Sequence, residues 1–290
     1  MTVRVRLQHA TRYRYDRPVT LGPHEIRLKP VPACATPVAS YALTVKPEHH
    51  STYWHQDAAD NHVARVVFQE KTSVLEIAVE LAADLVPINP FDFLVDPAAA
   101  RFPFAYPDPV RRELAPLLAI AENGEQLRNW LDHFQATERP EGRDSVELMV
   151  RVSKRLSQDI AYVARPEHGV QPCDETLRLR RGSCRDSGWL LTQILRHLGF
   201  ATRFVSGYLI ELAGSGPGAA RTDRADLHAW AEVYLPGSGW IGLDPTSALL
   251  AAEFHIPLAR TSAPELAAPV VGSHEPCRTQ MDFSMSLQRL

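Results

Sequence analysis

The sequence predicts an α+β protein: a strand-rich N-terminal part, then helices, then a second set of strands. Three observations carry that prediction. Period-two alternation dominates the first 90 or so residues, with no helical pattern between the runs. A stretch from Pro87 to Pro109 is too rich in proline and aromatics to be regular. Beyond it, helical spacing appears repeatedly and gives way to strands joined by tight glycine turns.

Taken in order, VRVRLQHATRYRY sets Val3, Val5 and Leu7 against Arg4, Arg6 and Gln8. EIRLKPV, ASYALTVKP, NHVARVVFQ and SVLEIAVEL repeat that period, with turn clusters DRP, GPHE and DAADN between them. Successive short strands of this kind predict a small antiparallel sandwich. PINPFDFLVDP and RFPFAYPDP read as a packed connector. Helices are expected near 110–122, 124–136 and 144–158, then a loop, a helix over 184–198, and strands near 201–212, 227–235 and 239–244. The closing MDFSMSLQRL alternates Met281, Phe283, Met285 and Leu287 and reads as a last strand returning to the first sheet. The expected division is a β-rich domain at 1–95, a connector at 96–110, a core at 111–260 and an extension at 261–290.

The 290 residues are 45% hydrophobic and 22% charged, an ordinary globular composition. The net charge of −3 argues against a dedicated nucleic-acid binder. The N-terminus lacks an apolar signal core, and no run approaches the roughly 20 apolar residues of a membrane span, so neither membrane nor export is expected. Cys34, Cys173, Cys184 and Cys277 show no CxxC pairing, which makes a disulfide framework or structural zinc improbable and a reducing, cytoplasmic setting the default. HExxH, the spacing of the zinc deaminases, Gly-Lys and GxSxG are all absent, so no metal and no cofactor is expected and the usual serine-hydrolase elbow is excluded.

The chemistry concentrates in RRGSCRDSGWLLTQILRHLGF. Ser183 is an N-cap candidate, Asp186 can complete a capping box, and Gly199 is placed as the C′ stop. Cys184 then falls in the first helical turn, where unpaired N–H groups and the helix dipole stabilise a thiolate and can hold an oxyanion. A buried structural cysteine is the alternative. LHAWAEVYLPGSGWIGLDPTS supplies a base: His228 opens one strand, LPGSGW turns the chain, and Asp244 ends the next strand ahead of a proline. The two lie within a few residues of facing each other, so Asp244 can hold one imidazole nitrogen while the other faces Cys184.

GSCRDSGWLL, RFVSGYL and DLHAWAEVYLPGSGWIGLDPTS together resemble the catalytic core of the transglutaminase-like superfamily, which includes bacterial proteins provisionally described as cysteine proteases. IAYVARPEHGVQPCDETL resembles the segment leading into its nucleophile, and HATRYRYDRPVTLGPHEIRLKP resembles the N-terminal domain of many bacterial members. The resemblance implies a papain-like fold with the cysteine helix packed on an antiparallel sheet. It implies Cys184 as nucleophile, His228 as general base and acid, and Asp244 as orienting carboxylate. Trp230 and Glu232 belong to the same motif as strand support. A second oxyanion donor is not identified; Gln171 and Tyr208 are weak candidates. The calcium loops of metal-activated transglutaminases are absent. Cys173 is either an inert core thiol or a disulfide partner for Cys184.

The expectation is thiol-dependent acyl transfer on a peptide or protein substrate, with hydrolysis preferred over transamidation to an amine. A binding or assembly module that keeps the fold without turnover is the reading from another class. Arg185 and Arg203 are cations able to bind a substrate carboxylate. The segment GSGPGAARTDRAD at 214–226, just before His228, is expected to gate substrate entry, which deletion of residues 215–222 would test.

Overall fold

The computed structural model describes residues 2–32, 34–214 and 222–290, so most of the segment expected to gate the site lies outside the described residues. The N-terminal part is a sandwich of two four-stranded sheets. One contains β1 (Val3–Val19), β3 (Val38–Lys46) and β6 (Thr72–Leu85), and the other β2 (His24–Ile26), β4 (His50–Gln56) and β5 (His62–Phe68). Val5 and Leu7 of β1, with Ile77, Val79 and Leu81 of β6, fill the interior, while the intervening arginines of β1 stay in water. Strand β4 has no counterpart in the sequence expectation. Its HSTYWHQ is almost wholly exposed, so it carries none of the apolar contrast that periodicity detects.

Four principal helices follow the connector: α1 (Asp108–Glu113) and α2 (Ala115–Leu118) come first and are short, then α3 (Glu125–Glu138) and α4 (Ser145–Asp159). The single helix expected over 110–122 is broken because Pro116 has no N–H to donate to the preceding turn. The expected loop before residue 184 holds strand β7 (Ala161–Tyr162), a short helix α5 (Cys173–Leu179) and strand β8 (Arg181–Gly182). Glu122 caps α5, accepting from Cys173 N at 2.7 Å.

Helix α6 (Cys184–His197) then packs on a five-stranded antiparallel sheet. That sheet is ordered β12 (Leu249–Leu250), β11 (Gly239–Asp244), β10 (Arg224–Leu235), β9 (Thr202–Glu211), β13 (His255–Thr261). Leu190, Leu191, Ile194 and Leu195 of α6 meet Ala229, Ala231 and Val233 of β10 in one buried cluster. All four α6 residues are wholly buried, which at roughly 1.5–3 kcal/mol per side chain fixes the helix axis firmly. Two strands then return to the sandwich: β14 (Val270–Val271) pairs with β2, and β15 (Thr279–Arg289) with β1. Among the described residues no helix is long and apolar enough to cross a membrane.

Strand β13 joins the two parts. One edge pairs with β9, and Ile256 and Leu258 lie in the apolar interior shared with the sandwich. On the other edge the fully buried Asn61 grips Arg260, giving Nδ2 to its carbonyl at 3.0 Å and accepting its N–H at 2.8 Å. Asn61→Ala is expected to cost about 2–3 kcal/mol, because both backbone groups of Arg260 lose their partner. Urea unfolding followed by circular dichroism measures that loss.

Candidate active site

Cys184 is the first residue of α6 and is 8% exposed. Ser183 and Asp186 form a capping box. Asp186 does more than cap, because its carboxylate is wholly buried. It accepts from Ser183 N at 2.8 Å, Gln171 N at 2.7 Å and both Arg165 Nε at 3.0 Å and Nη2 at 3.2 Å. Burial works against its charge, but these donors hold it below the usual carboxylate range. The chain from Arg165 to Gln171 is thereby tied to the start of the helix. At the other end Gly199 takes φ of +86°, the left-handed C′ conformation.

The β10–β11 hairpin pairs Ala231 with Leu243 and Leu235 with Gly239. Extending that register sets Asp244 opposite Trp230, two residues from His228, so the two groups share a face as diagonal neighbours. His228 Nε2 lies 3.1 Å from Asp244 Oδ2. An ionised carboxylate only accepts, so Nε2 carries the proton and Nδ1 is the basic nitrogen. That leaves Nδ1 free to serve the thiol of Cys184, whose side chain acts on this imidazole. Burial alone would lower the His228 pKa, but the hydrogen bonds to Asp244 and Cys184, with the charges of both, raise it to about 10.

Asp244 is more heavily held than an orienting carboxylate requires. Thr246 gives Oδ1 its N–H at 2.9 Å and its hydroxyl at 2.8 Å. Oδ2 accepts from Ser247 Oγ at 3.0 Å and His255 Nε2 at 3.4 Å besides His228. Burial opposes the charge, yet the two histidines keep this carboxyl far below its ordinary range. Thr246 and Ser247 stand in the LDPTS motif. His255 was not singled out by sequence, because EFHIPLART contains a proline and offers no clean alternation.

The other sequence candidates are distributed differently. Gln171 points its amide at Arg181 O and Asp186, at 3.3 and 3.4 Å, and belongs to the cap rather than the thiol. Tyr208 is not brought to Cys184 at all: it is wholly buried and its hydroxyl meets His9 Nδ1 at 3.0 Å in the sandwich-side interior. The reason is the length of β9, whose first half faces α6 and whose second half faces the sandwich. Trp230 is wholly buried, stacks beside His228, and lies across Gly207, where a Cβ would come within 2.5 Å of the indole. Arg203 is bound to Glu232 and to the Trp240 ring, and Arg185 to the Arg165 and Glu167 carbonyls. Tyr162, on β7 opposite Gly182, is 61% exposed.

Cys173 is buried, and that burial together with the Glu122 charge pushes its thiol far up. In the native protein iodoacetamide is therefore expected to leave Cys173 unlabelled at neutral pH while it reacts at Cys184, as peptide mass mapping would read.

His228, Asp244 and His255 place ligand atoms within 4.8 Å of one another, the spacing of a metal-binding group. Their protons do not fit that use. Both Nε2 atoms face an acceptor-only carboxylate and so carry hydrogens, and the other His255 nitrogen, Nδ1, faces the Ala252 N–H at 3.5 Å. A metal on His255 Nε2 would leave that ring with no proton on either nitrogen, against the usual donation of Nδ1–H to an acceptor.

Comparison with known proteins agrees with this architecture. The bacterial transglutaminase-like N-terminal region matches residues 5–84, and the transglutaminase-like superfamily core matches residues 133–245. An uncharacterised protein of Mycobacterium tuberculosis is 27% identical over 264 residues, 89% of this chain and 83% of its own length. A protein-glutamine gamma-glutamyltransferase of Pseudomonas aeruginosa is 28% identical over 102 residues, 34% of this chain but 15% of that protein. The crystal structure of a "Putative Cysteine Protease" from Cytophaga hutchinsonii superposes with a TM-score of 0.70 at 13% identity, covering 100% of this chain and 91% of that one, and so shares the fold. Two matched regions in order along the chain identify residues 5–84 with the bacterial transglutaminase-like N-terminal region and residues 133–245 with the transglutaminase-like superfamily core, on a fold shared with that solved structure.

Proposed function

We propose that the protein is a cysteine-dependent acyl-transfer enzyme that hydrolyses peptide or amide bonds. The observation that carries this reading is the linked set Cys184, His228 and Asp244, with the thiol at a helix N-terminus and the imidazole raised to about 10. The resting pair is thiolate and imidazolium. Cys184 Sγ attacks the carbonyl carbon, forming the S–C bond and an oxyanion that accepts a hydrogen bond from the Cys184 N–H. Collapse breaks the C–N bond as His228 Nδ1 protonates the leaving amine, giving a thioester on Cys184. Water then gives its proton to His228 and attacks; the S–C bond breaks, and thiolate, imidazolium and acid product are restored.

Transamidation follows the same first half, with an amine in place of water. The local likeness to a protein-glutamine gamma-glutamyltransferase favours it, whereas water needs no acceptor site and is the default. A panel of peptide amides and glutamine-containing proteins, with and without added primary amine, separates the two. Release of ammonia or amine with a thioester adduct on Cys184 in acid-quenched samples supports the reading. Amine incorporation that outpaces acid product assigns a transamidase. Turnover that survives Cys184→Ala would refute both.

A further inference from the structure

His255 is a half-buried histidine on the Asp244 carboxylate to which the acyl-transfer steps give no task. Its ring stands edge-on to Trp230 at 5.1 Å, its Nε2 is 3.4 Å from Asp244 Oδ2, and its Nδ1 receives the Ala252 N–H at 3.5 Å. A backbone N–H is always a donor and an ionised carboxylate always an acceptor, so this imidazole is fixed as the neutral form with hydrogen on Nε2. His228 differs, since its Nδ1 faces a thiol and can gain a proton. Of two histidines on one carboxylate oxygen, one is a working base and the other a fixed donor.

We propose that His255 is a positioning residue: it pins the Asp244 carboxylate for His228, and the N-terminal sandwich pins His255 by clamping β13. The inference rests on the catalytic reading of Cys184, His228 and Asp244. Several contacts make β13 a firm mount. Its register slips between Pro257 and Ala259, a bulge of the kind that re-aims side chains. Beyond Asn61 on Arg260, Val31 N meets Pro257 O at 3.0 Å, and Thr36 Oγ1 meets Glu253 O at 2.8 Å just ahead of the strand. Two loops of the sandwich, residues 27–37 and 57–61, thus hold the segment that carries His255. With it in place Oδ2 has three donors and Oδ1 two, so the carboxylate plane has one orientation. Without it, Oδ2 is left to one hydroxyl and to the histidine it must orient. The N-terminal domain gains a task by this route: it completes the support of the site without touching substrate.

The test compares iodoacetamide labelling of Cys184 at pH 7 in wild type, His255→Phe and His255→Gln. Glutamine keeps an N–H donor near the position of Nε2, and phenylalanine keeps only the ring. Labelling about tenfold slower in His255→Phe, with His255→Gln within about threefold of wild type, is the expected result, being the loss and the restoration of one charge-assisted hydrogen bond. Wild-type speed in His255→Phe, or equal slowing in both variants, would overturn it. Should His255→Phe not fold, nitrogen-15 histidine NMR of the wild-type protein decides: His255 protonated on Nε2 and bare on Nδ1 supports the assignment, and an Nδ1–H tautomer or an imidazolium overturns it. Slow labelling of the wild type itself would fault the catalytic reading instead, and the NMR tautomer would then decide this assignment alone.

Discussion

Asp244→Asn is expected to slow Cys184 alkylation at pH 7 by at least about 100-fold and turnover by on the order of 10³–10⁴-fold, through a change of tautomer rather than of shape. Thr246 fixes which way an asparagine must face. Its N–H and hydroxyl both meet Oδ1, and a backbone N–H cannot accept, so an asparagine must place its oxygen there. The amide NH₂ then lands where Oδ2 stood, facing His228, His255 and Ser247. Opposite an NH₂ group, His228 cannot keep its Nε2 proton, so the ring stays neutral with hydrogen on Nδ1 and the imidazolium that pairs with the Cys184 thiolate is lost. The charge that holds His228 near 10 disappears as well. Stability reports the same loss. A histidine raised from about 6.5 unfolded contributes stability that is fully present below pH 6.5 and disappears as pH rises through its folded value. Wild-type stability should therefore decline between about pH 6.5 and 10 more steeply than that of Asp244→Asn. Variant alkylation within threefold of wild type would contradict the assignment of Asp244.

Asp186→Ala is expected to cost about 3 kcal/mol of stability and to blunt the thiol as well. Removing this carboxylate leaves the Arg165 guanidinium, which is 16% exposed, with only Glu167 and the Gly169 carbonyl, and leaves the N–H groups of Ser183 and Gln171 without their acceptor. Water reaches Arg165 in part, so the cost stays at the lower end for a broken buried pair. The loss at Ser183 N frays the turn from which Cys184 projects, and the 165–171 chain comes free of the helix start. Denaturant midpoint and alkylation rate should fall together. Asp186→Asn separates the effects, since the amide oxygen can still accept from a backbone N–H while its charge is gone. A midpoint unchanged in Asp186→Ala would mean that the cap carries no energy of its own.

The central geometry was legible because its signals are local. Ser183 and Asp186 mark a helix start around Cys184, and the two-glycine hairpin sets the distance between His228 and Asp244 within one short segment. Longer-range features were not. Arg165 lies 21 residues before Asp186, and no local rule ties them. His255 reaches Asp244 from a strand interrupted by proline and bulge, and α5, of seven residues, is too short for helical periodicity to register. Tyr208, a weak candidate for the second oxyanion donor, lies on β9, which is ten residues long and carries it into the sandwich-side interior against His9. In each case the fold supplied a contact between segments whose local sequence is silent about it.

The most direct test of the account is the pH dependence of iodoacetamide labelling at Cys184, located by mass spectrometry, in wild type and His228→Ala. A thiolate held by His228 predicts rapid labelling well below pH 8 in the wild type and marked slowing by the substitution. Labelling that follows an ordinary thiol near pH 8.5 in both proteins would contradict it.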